Sequence, residues 1–163
     1  ARGERAVLDL IRELLEFSAT PSAPDPASPP SLTLALSRLR RVVMPGSGVY
    51  LFSDFRGLEA GDHPHLTQLA RHNEVTLFFL HDPLERALPP AGGRYPIIAP
   101  GQSQPMWLNV EDPGIRQAHA ARFAARQEGL RRLCHAIGAR FVSCSTDQDA
   151  PTRLQQHLRL PDP

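Results

Sequence analysis

Residues 75–80 read Val75-Thr76-Leu77-Phe78-Phe79-Leu80, apolar at nearly every position rather than at alternate ones. A strand of that pattern is covered on both faces, the habit of parallel sheets packed between helices. Upstream, a helix opening at Pro64 carries Leu66, Leu69 and Ala70, with Arg71 and His72 in the last turn, where the helix dipole favours cations. Asn73 suits its stop. Further upstream, Pro45-Gly46-Ser47-Gly48 turns the chain into Val49-Tyr50-Leu51-Phe52, a short run of β-formers. Downstream, Tyr95 to Ile98 and Met106 to Val110 flank Pro100-Gly101 and predict an antiparallel hairpin with Pro96 on an edge. A long helix follows Pro113, its buried stripe marked by Phe123, Leu130, Leu133, Cys134 and Ile137 and its end by Gly138. Arg140-Phe141-Val142-Ser143-Cys144 is the next strand, and a short helix runs from about Thr152 to Leu158.

At the other end, Val7, Leu10, Ile11, Leu14 and Leu15 recur at helical spacing between Glu4 and Phe17, with Arg5/Asp9 and Arg12/Glu16 four apart on the polar side. Residues 20–30 hold five prolines, which fix φ and remove donors, so they form an extended loop inside one domain rather than a boundary. Ser31 suits the N-cap of a second helix carrying Leu32, Leu36 and Leu39. Strands alternating with helices imply right-handed crossovers and an α/β fold, a mostly parallel sheet with helices on both faces.

Length and composition agree. At 163 residues, 41% hydrophobic and 21% charged, the chain suits one soluble domain with room for a core. No stretch approaches the roughly 18 apolar residues of a membrane span, and no signal-peptide pattern opens the sequence, so no membrane contact is expected of these residues. The formal charge of +1 gives no bulk attraction to nucleic acid. All 18 basic residues are arginine, which with 17 prolines reads as a coding bias rather than a functional signature. Cys134 and Cys144 form neither a disulfide framework nor a metal motif and fit a reducing, cytoplasmic compartment.

Ligands of open α/β sheets collect beyond the carboxyl ends of the strands. Three strands here end in an acid there: Asp54, Asp82 and Asp147, with Ser53, Glu85 and Asp149 close by. Neighbouring strands about 4.8 Å apart could converge these carboxylates on magnesium, a hard cation that takes oxygen ligands. Asp and Ser are equally the usual caps of helices that start after strands. Seven histidines include no pair at a zinc-helix spacing and read as dispersed surface residues, Ser53 lacks a nucleophile elbow, and both cysteines read as small core residues. No phosphate-binding glycine loop is present. Arg38, Arg40, Arg41 and the five arginines from Arg116 to Arg132 read as solvated helix surface without the interleaved aromatics of a nucleic-acid groove, and Trp107 as a hairpin packing residue.

Together, Leu51-Phe52-Ser53-Asp54-Phe55, Leu69-Ala70-Arg71-His72-Asn73-Glu74-Val75 and His81-Asp82-Pro83-Leu84-Glu85-Arg86-Ala87-Leu88-Pro89 resemble the bacterial domain-of-unknown-function family fifty-eight, which is similar to the von Willebrand factor A domain. The Asp-Pro-Leu-Glu stretch followed by Leu-Pro is the most specific part. The resemblance covers nearly the whole chain but only the later part of the family domain. It implies a Rossmann-like three-layer sandwich whose carboxyl edge holds a metal-ion-dependent adhesion site. That site takes an Asp-x-Ser-x-Ser run, a Thr and a later Asp. Only the last has a counterpart, Asp54, while the Thr position falls at Pro30 with Ser31 beside it, so the site is incomplete and magnesium should bind poorly.

On this reading residues 1–163 are a single truncated domain, opening on Ala1-Arg2-Gly3 as an excised piece, with the central strand missing and any membrane anchor of the parent outside these residues. The strand at Val49–Phe52 then presents an unpaired apolar edge, which predicts a homodimer through that edge or through the N-terminal helix. The implied function is a noncatalytic protein-interaction module working with a MoxR-type AAA+ ATPase through Ser53, Asp54, Asp82 and Glu85. The rival is a magnesium-dependent phosphoester hydrolase built on Asp54, Asp82 and Asp147.

Overall fold

The apolar run at 75–80 is the middle of β2 (Glu74–His81), the central strand of a three-stranded parallel sheet. β1 (Gly48–Ser53) pairs on one side in the register Val49↔Val75 to Ser53↔Phe79, and β5 (Arg140–Ser145) on the other, from Thr76↔Arg140 to His81↔Ser145. The computed structural model describes residues 2–19, 32–89, 93–98 and 104–157. The chain divides into two compact units, Ala1–Pro30 and Ser31–Pro163. The first contains α1 (Arg2–Ala19), the amphipathic helix expected from its periodicity. The Pro-rich 20–30 loop, the Ser31 cap with Pro30, and the Pro100-Gly101 turn lie outside the described residues.

In the second unit, α2 (Leu32–Val42), α3 (His63–His72), a four-residue α4 (Pro83–Arg86), α5 (Pro113–Ile137) and α6 (Ala150–His157) surround the parallel sheet, and β3 (Arg94–Ile97) pairs antiparallel with β4 (Met106–Asn109) as a separate hairpin. The main core packs Leu36 of α2, Leu66 and Leu69 of α3, and Phe123, Leu130 and Cys134 of α5 on Val49, Val75, Leu77 and Phe79. Alternation along the strands sends Phe78 and Val142 to the other face, where both are still buried. Phe52 stacks on Phe78 there, with ring centres 4.5 Å apart. Burying each such side chain is worth about 1.5–3 kcal/mol, so the sheet's centre anchors the fold.

Local chemistry sets the helix ends. The Asp112 carboxylate accepts the Gly114 N–H at the start of α5. Gly138 ends that helix at φ 72°, a left-handed conformation that glycine adopts without Cβ strain. Asn73 stops α3 by another route than a left-handed cap. Its backbone is extended, and its side chain donates to the Leu69 carbonyl while accepting the Ser47 N–H, tying the helix end to the entrance of β1. Two expectations about aromatic packing come out differently. Trp107 is 62% exposed on the hairpin, and His81 is buried at the end of β2 against Phe79 and Phe123 instead of lying on the surface. Among the described residues no helix is long and apolar enough to cross a membrane.

Candidate functional site

The site is built where β1 and β2 end. After Ser53 the chain turns through Asp54, Phe55 and Arg56. Phe55 has φ 50°, uncommon for a bulky residue, and its ring is buried in the core. Two short side-chain bonds brace the turn: the Ser53 hydroxyl oxygen accepts the Phe55 N–H, and Asp54 Oδ1 accepts the Arg56 N–H. With Phe55 turned inward, Asp54 and Arg56 are left at the surface, 3.2 Å apart from Oδ2 to Nε.

After β2, Asp82 caps α4. Its Oδ1 accepts the Leu84 N–H at 2.8 Å, and its own N–H is within 3.4 Å of Glu85 Oε1, completing a capping box. Asp82 Oδ2 accepts the Thr146 hydroxyl at 3.2 Å, linking the ends of β2 and β5. Glu85 Oε2 meets two guanidiniums, Arg56 at 2.6 Å and Arg126 of α5 at 2.7 Å. Burial pushes the Glu85 carboxyl upward, but the hydrogen bonds from Arg126, Arg56 and the Asp82 N–H outweigh it and bring it down to about 2. Glu85 therefore stays ionised at neutral pH.

Of the residues expected at this edge, Asp54 and Glu85 are joined through Arg56, Asp82 joins Thr146 instead, and Ser53 is occupied within its own turn. Asp147 is exposed in the turn after β5 and makes no side-chain hydrogen bond or ion pair among the described residues. Asp149 caps α6, accepting the Thr152 N–H. Among the described residues no group of three or more His, Cys, Asp or Glu side chains is arranged to hold a metal ion.

Arg126 is the residue that the surface reading of the arginines missed. Its side chain is only 24% exposed, and its guanidinium lies over the rings of Phe79 and Phe123, 5.2 and 5.7 Å from their centres. The signal was in the spacing. Arg126 stands three residues after Phe123 and four before Leu130, inside the stripe that faces the sheet. Gln127, four after Phe123, likewise points inward and donates to the Ser143 hydroxyl. Together Arg56, Glu85, His119, Arg122, Phe123 and Arg126 line a cleft of about 270 Å³. His119 donates its Nε2–H to the Leu84 carbonyl at 2.8 Å, since a carbonyl can only accept.

A second feature adjoins this edge. Phe52, Leu80 and Cys144, from the ends of the three strands, form with Leu154 of α6 an apolar groove of about 280 Å³.

With this geometry in hand, the chain matches the family model described as "Protein of unknown function DUF58" over residues 1–129. It belongs to that family. The DUF58 match runs from α1 through most of α5, so it includes Asp54, Arg56, Glu85 and Arg126, while β5 and α6 follow it. No curated protein matches the chain. Among solved structures it is similar to the conserved hypothetical protein BatB from Bacteroides thetaiotaomicron, at 13% identity and a TM-score of 0.41 over 81% of this chain. The chain spans 59% of the BatB chain.

Proposed function

We propose that this DUF58 chain is a noncatalytic protein-interaction module that works through the carboxyl edge of its sheet, with a MoxR-type AAA+ ATPase as the partner the family resemblance implies. The observation that carries the reading is the run of ion pairs Asp54–Arg56–Glu85–Arg126, which joins the turn after β1, α4 and α5 into one fixed charged surface. Carboxylates held in ion pairs suit recognition better than proton transfer, which works best with a group titrating near the operating pH. Glu85, brought down to about 2, is far from that range. The apolar groove at Phe52 and Leu80 lies on the other face of the sheet at the same carboxyl end and offers an apolar anchor of the kind protein interfaces use. The test is binding of the purified ATPase by titration calorimetry. Asp54→Ala should weaken it about tenfold or more with the fold unchanged, and an unaltered affinity overturns the reading.

A second copy of the chain is the other partner we propose, on a separate observation. β1 pairs only with β2 among the described residues, and its Tyr50 and Phe52 are 47% and 49% exposed. An apolar strand edge of this kind favours pairing with another chain. The hydrolase alternative lacks comparable support. Asp54 pairs with Arg56, Asp82 with Leu84 and Thr146, and Asp147 with neither, and among the described residues no three such acids are arranged around a common point.

A further inference from the structure

We propose that the cleft between the turn after β1, α4 and α5 captures a side-chain carboxylate from an acidic segment of the partner protein, with Arg56, Arg122 and Arg126 as a guanidinium cradle. This rests on the interaction-module reading and names the chemistry of the partner. Three guanidiniums gather here around two carboxylates, Glu85 and Asp54, which leaves one positive charge in excess, and Asp54 holds the Arg56 guanidinium in position through its Nε, so that Asp54→Ala costs the cradle the placement of Arg56. Arg122 is the uncommitted member. It is exposed, lines the cleft, and has no ion pair or hydrogen bond among the described residues.

Helical spacing puts His119, Arg122 and Arg126 on one face of α5, three and four residues apart. Arg126 is held in place at the cleft wall by its bond to Glu85 and by the Phe79 and Phe123 rings beneath its guanidinium. Phe123 walls the cleft and lowers the local dielectric, which strengthens a guanidinium–carboxylate bond relative to open water. One excess charge matches a monoanionic carboxylate. A phosphate dianion would leave the cleft net negative.

The probe is a fluorescein-labelled hexaglutamate peptide, titrated with the protein at low salt and followed by fluorescence anisotropy. Saturable binding is expected, weakening steeply as salt rises, since screening acts within about 8 Å at physiological ionic strength. Arg122→Glu should weaken binding about tenfold, while Arg122→Lys keeps it within about threefold. Arg132→Glu makes the same charge change on the same helix about 15 Å away and should leave binding unaltered. Equal loss in both reversals would mean diffuse charge attraction and overturn the cradle. Absence of saturable binding up to about 1 mM protein would also overturn it. If inorganic phosphate displaces the peptide better than acetate, the carboxylate assignment falls. ATPase binding that survives Arg122→Glu but falls with Asp54→Ala overturns the cradle and leaves the module standing. Loss with neither variant removes the interaction reading itself.

Discussion

Arg126 on α5 and Glu85 on α4 meet at 2.7 Å across 41 positions of sequence, with the guanidinium 5.2 Å from the centre of the Phe79 ring. One contact thus ties the carboxyl edge to the buried centre of the sheet.

This contact makes stability depend on acid. The Glu85 carboxyl is held at about 2 in the folded chain against 4.5 ordinarily, chiefly by Arg126 and Arg56 working against burial. A depressed carboxyl adds stability above its unfolded value and loses it as pH falls through the folded one. The side chain is 23% exposed, so solvent screening holds the contribution to about 1–2 kcal/mol. Glu85→Gln should therefore unfold at lower urea at pH 7, with the gap from wild type closing between about pH 5 and about pH 2. A gap that stays constant across that range would show that the ion pairs contribute nothing.

Asp82 should behave as a structural cap. Asp82→Ala removes the acceptor for the Leu84 N–H and the bond to Thr146, and should cost about 1–2 kcal/mol in urea unfolding with an unchanged slope. Asp82→Asn keeps an acceptor at the cap and should recover most of the loss.

Magnesium should leave the thermal midpoint where it is. Adding it at about 5 mM tests whether a cation can displace Arg56 from Asp54 and free Asp82 from its two donors, which a ligand binding the folded state would report as a rise in midpoint. A rise of about 2 °C or more would return the edge to metal chemistry.

Much of the fold was legible because burial on both faces leaves a mark that short-range patterning can read. Val75 to Phe79 are buried as their nearly continuous apolarity required, although Leu80 at the end of the run is 38% exposed, and Gly138 ends α5 as expected. The site was only half legible. Asp54 and Glu85 could be placed at strand ends from sequence, but the guanidinium that joins Glu85 to the core comes from 41 positions away, and no local pattern encodes that distance. Arg126 was hidden by its charge. An arginine in an apolar stripe reads as surface until a carboxylate and two aromatic rings are found to receive it. Trp107 misled in the opposite sense, since an aromatic in a hairpin reads as packing yet is 62% exposed.

The two thiols should differ in accessibility. Cys134 is buried in the core and burial pushes its thiol up to about 11, while Cys144 lines the apolar groove and is raised less. The thiolate rather than the thiol attacks iodoacetamide and expels iodide, so at pH 7.5 both should react slowly, Cys144 first and Cys134 only as the chain opens. Equal rates in the native protein would contradict the packing of α5 on the sheet.

The edge of β1 offers the last test. Phe52 stacks on Phe78 at 4.5 Å with half its own surface open, so it covers a core residue and at the same time presents an apolar face to any neighbour. Phe52→Ala should cost about 1–2 kcal/mol, because only about half of the removed surface was buried, whereas Phe79→Ala, fully enclosed, should cost about 3–5 kcal/mol. Phe52→Lys places a charge on the strand edge, the device by which natural sheets block edge pairing. Sedimentation at micromolar concentration should find the wild type as a dimer and Phe52→Lys as a folded monomer. A wild type that is monomeric throughout that range would rule out β1 as a dimer edge, leaving its exposed aromatics to the partner protein.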